Sequence, residues 1–434
     1  MKILHVADIH LGRERLSGKL PDSDFAEALG HIVNIAISEN VDVFLIAGDL
    51  FDSPQIHPPA LKQAITCLSP LKGEGIPVLA IEGNHDRVSL QSASPTWMRY
   101  LSDEGYLHLL TTPFAPDGPV LLPWDTGRRQ GSWIEINGIR FIGAGYLGAG
   151  TPKRVRAILE GIESGGPTVL VLHAGPDYFV GEGGGFSKED LSFIKDKVSY
   201  LALGHIHKPM IHENWACNPG SPENCRLQED GKSYALHNRG YALVVICETA
   251  RRPPESMEIR SNPRRPVIIE TLDCSPFGNK LKGGLEALRD SAVRALRQRG
   301  TTPDSAVLLC LSGTLNIGRI GLDPDMLASE LEEKLGVKAV EVSTEKLQLF
   351  QGRNSSALSG PELVTREELE RSAILEILSE DPIGGLEEKA EELASLFMEL
   401  KEHVRDEKPP EETADVLAGH HLTAELFNLR KGAL

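Results

Sequence analysis

Eight side chains suited to holding divalent cations fall in five short clusters along the first half of the chain: Asp8 and His10, Asp49, Asn84 and His85, His173, and His205 and His207. Oxygen donors mixed with imidazoles suit manganese, iron or zinc better than calcium. So many donors suit two ions rather than one. Paired ions in turn suit the hydrolysis of phosphate esters, because they clamp the scissile phosphate, offset its charge and lower the pKa of a bound water. The spacing Asp8-x-His10 puts two ligands on the same side of an extended segment. Asp49 follows a glycine that lets the chain turn sharply, and its two carboxylate oxygens can bridge two cations. Gly83-Asn84-His85-Asp86 offers a neutral amide oxygen and then an imidazole. Gly204-His205-Ile206-His207 sets two histidines one residue apart. His85, beside a ligand but spare in the ligand count, can contact the phosphate or protonate the leaving alkoxide.

Taken singly, these signals are weak. Asp49 alone caps a helix equally well, and a lone His173 is an ordinary buried histidine. Five clusters in order, nearly all at the ends of hydrophobic runs, make coincidence improbable. The remaining histidines, His5 and His57 among them, lack the pattern and read as structural or solvent-facing.

The elements that must position these residues alternate between strand and helix. Lys2 to Ala7, Val41 to Ala47 and Pro77 to Ile81 read as strands. Later strands are expected at Ile139 to Gly143, Val169 to Leu172, Tyr200 to Leu203 and Tyr241 to Ile246. Helices are expected over Ser23 to Asn40 and from Pro58 or Pro59 through Leu71. This rhythm predicts an α/β fold, a layered sheet with helices outside, whose strand ends build the site. Arg251-Arg252-Pro253-Pro254 marks a boundary. Beyond it, strands at Val267 to Leu272, Ala306 to Leu311 and Ala339 to Val342 alternate with helices at Leu281 to Arg299 and Pro324 to Leu335, a small α/β cap. Residues 351–360 read as a linker. Two acidic helices follow, the second with an apolar seam of Leu386, Ala390, Leu393, Phe397 and Leu400, and a short helix is expected from Leu422 to Arg430. The expected domains are 1–250, 251–350 and a helical tail over 361–434.

The 434 residues carry a formal net charge of −17, which argues against a general polyanion binder. The charge is uneven. Residues 361–434 hold 19 acidic and 8 basic residues, whereas residues 251–350 hold 14 and 15, so a DNA surface should avoid the tail. Arg251, Arg252, Arg260, Arg264 and Arg265 form a cluster that either meets phosphates or solvates a connector. The six cysteines form no C-x-x-C pair, and scattered thiols fit a reducing compartment. The apolar runs are too short to span a bilayer, and the expected location is the cytoplasm.

Asp8-x-His10, Gly48-Asp49, Gly83-Asn84-His85-Asp86, His173 and Gly204-His205-Ile206-His207 together resemble the calcineurin-like metallophosphoesterases. The likeness is closer to the nuclease subunits of double-strand-break repair complexes, the SbcD and meiotic recombination eleven family. It rests on Lys2 to Gly12, on Ala47-Gly48-Asp49-Leu50-Phe51-Asp52-Ser53, and on Gly204 to Pro209 followed by Asn218 to Glu223. It is strong over 1–250 and weaker beyond. The resemblance implies a layered metallophosphoesterase sandwich. One metal would take Asp8, His10, Asp49 and His207, and the other Asp49, Asn84, His173 and His205, with His85 as the phosphate-facing catalytic histidine. It implies two divalent ions, by preference manganese, and 3′-end trimming of DNA with nicking of single strands or hairpins. It further implies a homodimer, a DNA-holding cap, and docking of C-terminal helices on a coiled-coil ABC-type ATPase of the SbcC kind. The sequence departs from the pattern at Asp52, where eukaryotic and some archaeal members carry a second histidine; SbcD tends to carry aspartate there. The same metals would serve a phosphoesterase for nucleotides or other small phosphoesters, which needs neither cap nor tail.

Overall fold

The computed structural model describes residues 1–349 apart from 17, 88–94, 163–165, 181–183, 228–239, 278–283 and 316–321; further on it describes 371, 374–375, 389–405, 414, 416 and 420. The chain forms two compact units, Met1–Gly352 and Arg353–Leu434. The expected linker, the seam residue Leu386 and the helix Leu422 to Arg430 lie outside the described residues.

In chain order the first unit contains strands β1 (Lys2–Val6), β2 (Val43–Ala47), β3 (Val78–Ile81), β4 (His108–Leu109), β5 (Phe114–Ala115), β6 (Gly118–Pro119), β7 (Trp133–Ile136), β8 (Ile139–Gly145), β9 (Thr168–His173), β10 (Tyr200–Gly204), β11 (Met210–His212), β12 (Ala216–Asn218), β13 (Gly240–Val245) and β14 (Ser256–Ser261). Two six-stranded sheets form, ordered β14-β13-β1-β2-β3-β4 and β11-β12-β10-β9-β8-β7. Within the first, β1 to β4 run parallel; within the second, β8, β9, β10 and β12 do.

Alternation along the strands decides what lies between the layers. Ile3, Ala7, Val43, Leu45 and Ala47 meet Val169, Val171, Tyr200 and Ala202 from the second sheet. The opposite faces, Leu4, Val6, Phe44 and Ile46, pack under helices α1 (Ser23–Ser38), α2 (Pro58–Gly73) and α3 (Trp97–Asp103). Helices α4 (Thr151–Glu160) and α6 (Lys188–Lys195), with the one-turn α5 (Asp177–Val180) between them in the chain, belong to the other side; Val155, Ile158, Leu191 and Ile194 cover the second sheet there. Covered on both faces, β2 is buried at all five positions, which is why it reads as an unbroken apolar run.

The first sheet continues past Arg251, since β14 pairs along β13 from Gly240–Ser261 to Val245–Ser256. A three-stranded parallel sheet then follows, β15 (Val267–Asp273), β16 (Ala306–Leu315) and β17 (Ala339–Leu349), with helices α7 (Gly284–Gln298) and α8 (Pro324–Leu335). Val307, Leu309 and Leu311 face those helices. Ala306 and Leu308 face the other way and pack with Leu20 and Leu227 of the sandwich. Arg265 reinforces this junction, its Nε and Nη2 each donating to Asp24 at 2.7 Å. Asp24 also receives Arg15, which reaches Glu223 at 3.3 Å. Four of the five connector arginines are therefore engaged within the chain: besides Arg265, Arg260 pairs with Glu39 and Glu258, Arg252 with Glu255, and Arg264 donates to Asn224.

In the second unit, the helix Ala390–Arg405 buries Leu393 and Ala394 against Ile374 and Leu375, and Leu396 is buried as well. Ala390 and Leu393 of the expected seam lie in this cluster, but at the next turn Phe397 is 40% exposed while Leu396 is buried. Among the described residues no helix is long and apolar enough to cross a membrane.

Candidate metal centre

All five clusters converge where β1, β2, β3, β9 and β10 end. Beyond Val6 the ladder stops, and the N–H groups of Asp8, Ile9 and His10 donate instead to the carbonyls of Gly48 and Asp49, at 3.1, 2.8 and 3.0 Å. Buried N–H groups must find partners, and meeting these two carbonyls bends the segment. Asp8 and His10 take φ of 53° and 54°, Asp49 takes 51° and His205 takes 89°. Asp8 and His10 therefore do not share one side of an extended segment; each is aimed by a left-handed backbone, a strained state for non-glycine residues that is typical of functional sites.

Glycine is required where these turns crowd together. A Cβ at Gly83 would overlap Asp49 Oδ1, and one at Gly204 would overlap the Ala47 carbonyl. Asp86 laces the loops, accepting from the N–H of Asp49 and Gly83 at 2.8 Å and of Phe51 at 3.0 Å.

The donor atoms form two groups that meet at one oxygen. His10 Nε2 lies 3.1 Å from His207 Nε2 and 3.8 Å from Asp49 Oδ2. On the other side, His173 Nε2 lies 3.1 Å from Asp49 Oδ2 and 3.2 Å from Asn84 Oδ1, which is 2.9 Å from His205 Nδ1. Asp8 accepts from the His205 N–H at 3.0 Å and stands 3.9 Å from His173 Nε2. Donors held about 2.0–2.2 Å from one cation sit roughly 3–3.5 Å from each other; the contacts of 2.9 to 3.2 Å match, and the 3.8 Å from His10 Nε2 to Asp49 Oδ2 is wider. Asp8, His10, Asp49 and His173 are at most 1% exposed, so buried carboxylates meet buried imidazoles, a donor set that fits divalent cations. Asp49 Oδ1 is taken by the His85 N–H at 2.8 Å. Oδ2 is the oxygen that faces donors of both groups. His85 Nδ1 donates to the Asp52 carbonyl at 2.8 Å, and its ring centroid is 4.8 Å from that of His10.

Electrostatics follow the crowding. Burial opposes charge on Asp49, but the adjoining His173 and then His10 hold its carboxyl well below the usual range. Burial would likewise lower His173, yet the carboxylates of Asp49 and Asp8 push it up to about 9. Burial and the charge of His173 bring His205 down to about 4. Burial and the charge of Asp49 push Asp86 up to about 7, against the N–H groups of Phe51 and Gly83.

The structure brings all eight predicted residues together, and it adds four. Asp52 places Oδ1 at 3.1 Å from His10 Nδ1 and 2.5 Å from Arg13 Nη1. Tyr146 packs 5.6 Å from the His205 ring, beside a cavity of about 210 Å³. Asp86 and Asp52 could have been suspected from their motifs. Nothing in the sequence marks Tyr146 or Arg13. His57 stands outside the cluster, lining with Asp52 a separate cavity of about 390 Å³.

Residues 1–209 match the family described as calcineurin-like phosphoesterase. The chain belongs to the calcineurin-like phosphoesterases, in the group of the Mre11 and SbcD nucleases. It is 30% identical over 314 residues to the DNA double-strand break repair protein Mre11 of Aeropyrum pernix, covering 70% of this chain and 71% of that one. To the protein of the same name from Archaeoglobus fulgidus it is 30% identical over 285 residues, 62% of each chain. The SbcD component of the nuclease SbcCD from Bacillus subtilis is 26% identical over 301 residues, 62% of this chain and 71% of the relative.

Proposed function

We propose that this chain is a manganese-dependent DNA nuclease that hydrolyses phosphodiesters with two metal ions during double-strand-break repair. One observation carries the reading: buried and half-buried donors from five strand ends stand 2.9 to 3.8 Å from one another in two groups around Asp49 Oδ2. Asp8, His10, Asp49 and His207 would hold one ion, and Asp49, Asn84, His173 and His205 the other. When bound, the ions supply charge compensation at the phosphate and a hydroxide near neutral pH. His85, with Nδ1 committed to the Asp52 carbonyl, exchanges its proton through Nε2, which suits it to protonate the leaving 3′ or 5′ oxygen. Burial of the surrounding ligands strengthens every charge interaction there.

The names of the relatives support DNA as the substrate and repair as the setting. The family likeness supports 3′-5′ exonuclease action with single-strand and hairpin endonuclease action, a homodimer, and a cytoplasmic complex with an SbcC-like ABC-type ATPase. We assign the phosphoesterase role to about 1–250, DNA holding to the cap over 251–350, and ATPase docking to the tail over 361–434.

The test uses full-length protein stripped of metal, with end-labelled duplex and hairpin DNA. Manganese should switch on cleavage, and His85→Ala should abolish it while retaining two bound ions. Hydrolysis of cyclic nucleotides without any DNA cleavage would overturn the reading in favour of a small-phosphoester enzyme.

A further inference from the structure

Residue 52 touches both histidines that matter most to the proposed chemistry, one through its side chain and one through its backbone. Asp52 Oδ1 lies 3.1 Å from His10 Nδ1, an ion-pair contact rather than an aligned hydrogen bond, on the side of the ring away from the donor group that holds Nε2. Among the described residues this Nδ1 has no hydrogen-bond partner, so the Asp52 carboxylate is the charge that faces it. The Asp52 carbonyl accepts from His85 Nδ1 at 2.8 Å. Its carboxylate is fixed in turn by Arg13, whose Nη1 is 2.5 Å away and whose Nε donates to the Cys225 carbonyl at 2.9 Å. Arg13 therefore spans from the loop after β1 to the segment after β12 and holds the carboxylate against His10.

From this arrangement we propose that Asp52 is a positioning residue. It keeps the His10 proton on Nδ1 so that the Nε2 lone pair is presented to a cation, while the backbone of the same residue presents His85 with Nε2 open for proton exchange. An imidazole must be deprotonated at the nitrogen that binds a metal, and a carboxylate on the opposite nitrogen both selects that tautomer and raises the ligand's basicity. Asp52 also lies within 4.8 Å of donor atoms on both His10 and His85, which raises the competing role of direct ligand. The geometry disfavours that role, since the same Oδ1 is already shared between His10 Nδ1 and the Arg13 guanidinium.

The inference rests on the two-metal reading, and the experiment separates the two. Mn²⁺ alone is titrated into metal-free, full-length protein by calorimetry, with stoichiometry checked by elemental analysis. Two ions in the unsubstituted chain uphold the site itself; fewer would sink the two-metal reading, and Asp52's role with it. Given two ions, Asp52→Ala should bind both but hold one of them about 10–100-fold more weakly. Asp52→Asn keeps an oxygen that accepts the Nδ1 proton and should recover most of that affinity. Asp52→Leu, which keeps the bulk and removes the acceptor, replaces Ala if Ala does not yield folded protein. DNA cleavage by Asp52→Ala should need more manganese but approach the unsubstituted kcat at saturation, because the carbonyl that orients His85 remains. Unchanged affinity in Ala or Leu would overturn the proposal. So would an Asn variant no better than Ala, and so would loss of one whole ion in both, which would make Asp52 a ligand.

Discussion

Lowering the pH should destabilise the sandwich through His5. His5 is wholly buried between the two sheets, with Nδ1 2.7 Å from the Tyr200 hydroxyl. Burial brings its pKa down from 6.5 to about 3, with only slight opposition from the Leu203 backbone. Burial also raises Tyr200 and Cys217 nearby, so the whole inter-sheet cluster is neutral. Above pH 6.5 neither the folded nor the unfolded chain protonates His5, and there is no penalty. As pH falls below 6.5 the unfolded chain takes a proton that the folded chain refuses. Stability should then drop by about 1.4 kcal/mol per pH unit until the folded pKa is reached. Between pH 7.5 and 5.0 that amounts to about 2 kcal/mol from this residue. The assay is denaturant unfolding of metal-free protein at both pH values, followed by tryptophan fluorescence, for the unsubstituted chain and His5→Asn. Asn keeps a polar atom near the Tyr200 hydroxyl and cannot titrate. Subtracting the two pH dependences cancels the other histidines and leaves His5. If both proteins lose the same stability, His5 is not the buried neutral group described, and the reasoning fails.

Gly83→Ala should push Asp49 out of place, because the added Cβ overlaps Asp49 Oδ1. Manganese affinity should fall at least about 100-fold with circular dichroism unchanged, and native affinity would show that the loop can give way. Asp24→Asn should weaken the junction between sandwich and cap, since Arg15 and Arg265 both converge on that carboxylate. Breaking such a buried cluster costs about 3–5 kcal/mol, readable as a shifted denaturant midpoint, and a loss under about 1 kcal/mol would mean Glu223 suffices as partner. Manganese at a hundredfold excess over its dissociation constant should add about 2.7 kcal/mol of stability per site. That gain should vanish with chelator, and no thermal shift would speak against a site formed in the native state.

Much of this is legible in the chain. Parallel strands buried on both faces advertise themselves as apolar runs, so β1, β2, β3, β9 and β10 stand out, and the ligands lie at their ends. The seven-residue β8 and the cap elements also follow from pattern. Short edge strands do not, because β4 and β11 have only two and three residues and no room for periodicity. The strand β14 escapes for another reason: it lies on an edge, half-exposed, with Glu258 and Arg260 in its sequence. The partners of the connector arginines are not legible either, because a sequence does not display carboxylates that arrive from elsewhere, such as Asp24 for Arg265 and Glu39 for Arg260. The seam of the tail helix departs at one turn, since Ala390 and Leu393 pack as read but Leu396 is buried in place of Phe397. Alternating spacings of four and three admit either Leu396 or Phe397, and only the fold decides.

The departure at Asp8 and His10 is the more instructive one. Alternation on a strand gives the same i, i+2 pairing on paper as two residues turned individually by left-handed backbone, yet the consequences differ. An extended segment would carry its ligands at no conformational cost and would tolerate many neighbours. Here four donor-bearing residues sit at positive φ, and each is held there by something outside itself. Gly48 and Asp49 carbonyls hold the first two, Asp86 holds Asp49, and Asp8 holds the His205 backbone through its own carboxylate. The last contact ties a donor of one group to the backbone of a donor in the other. Removing Asp8 would therefore release His205 as well as empty its own position. For that reason the two groups of donors are not separable half-sites at Asp8, and a substitution there should be felt in both.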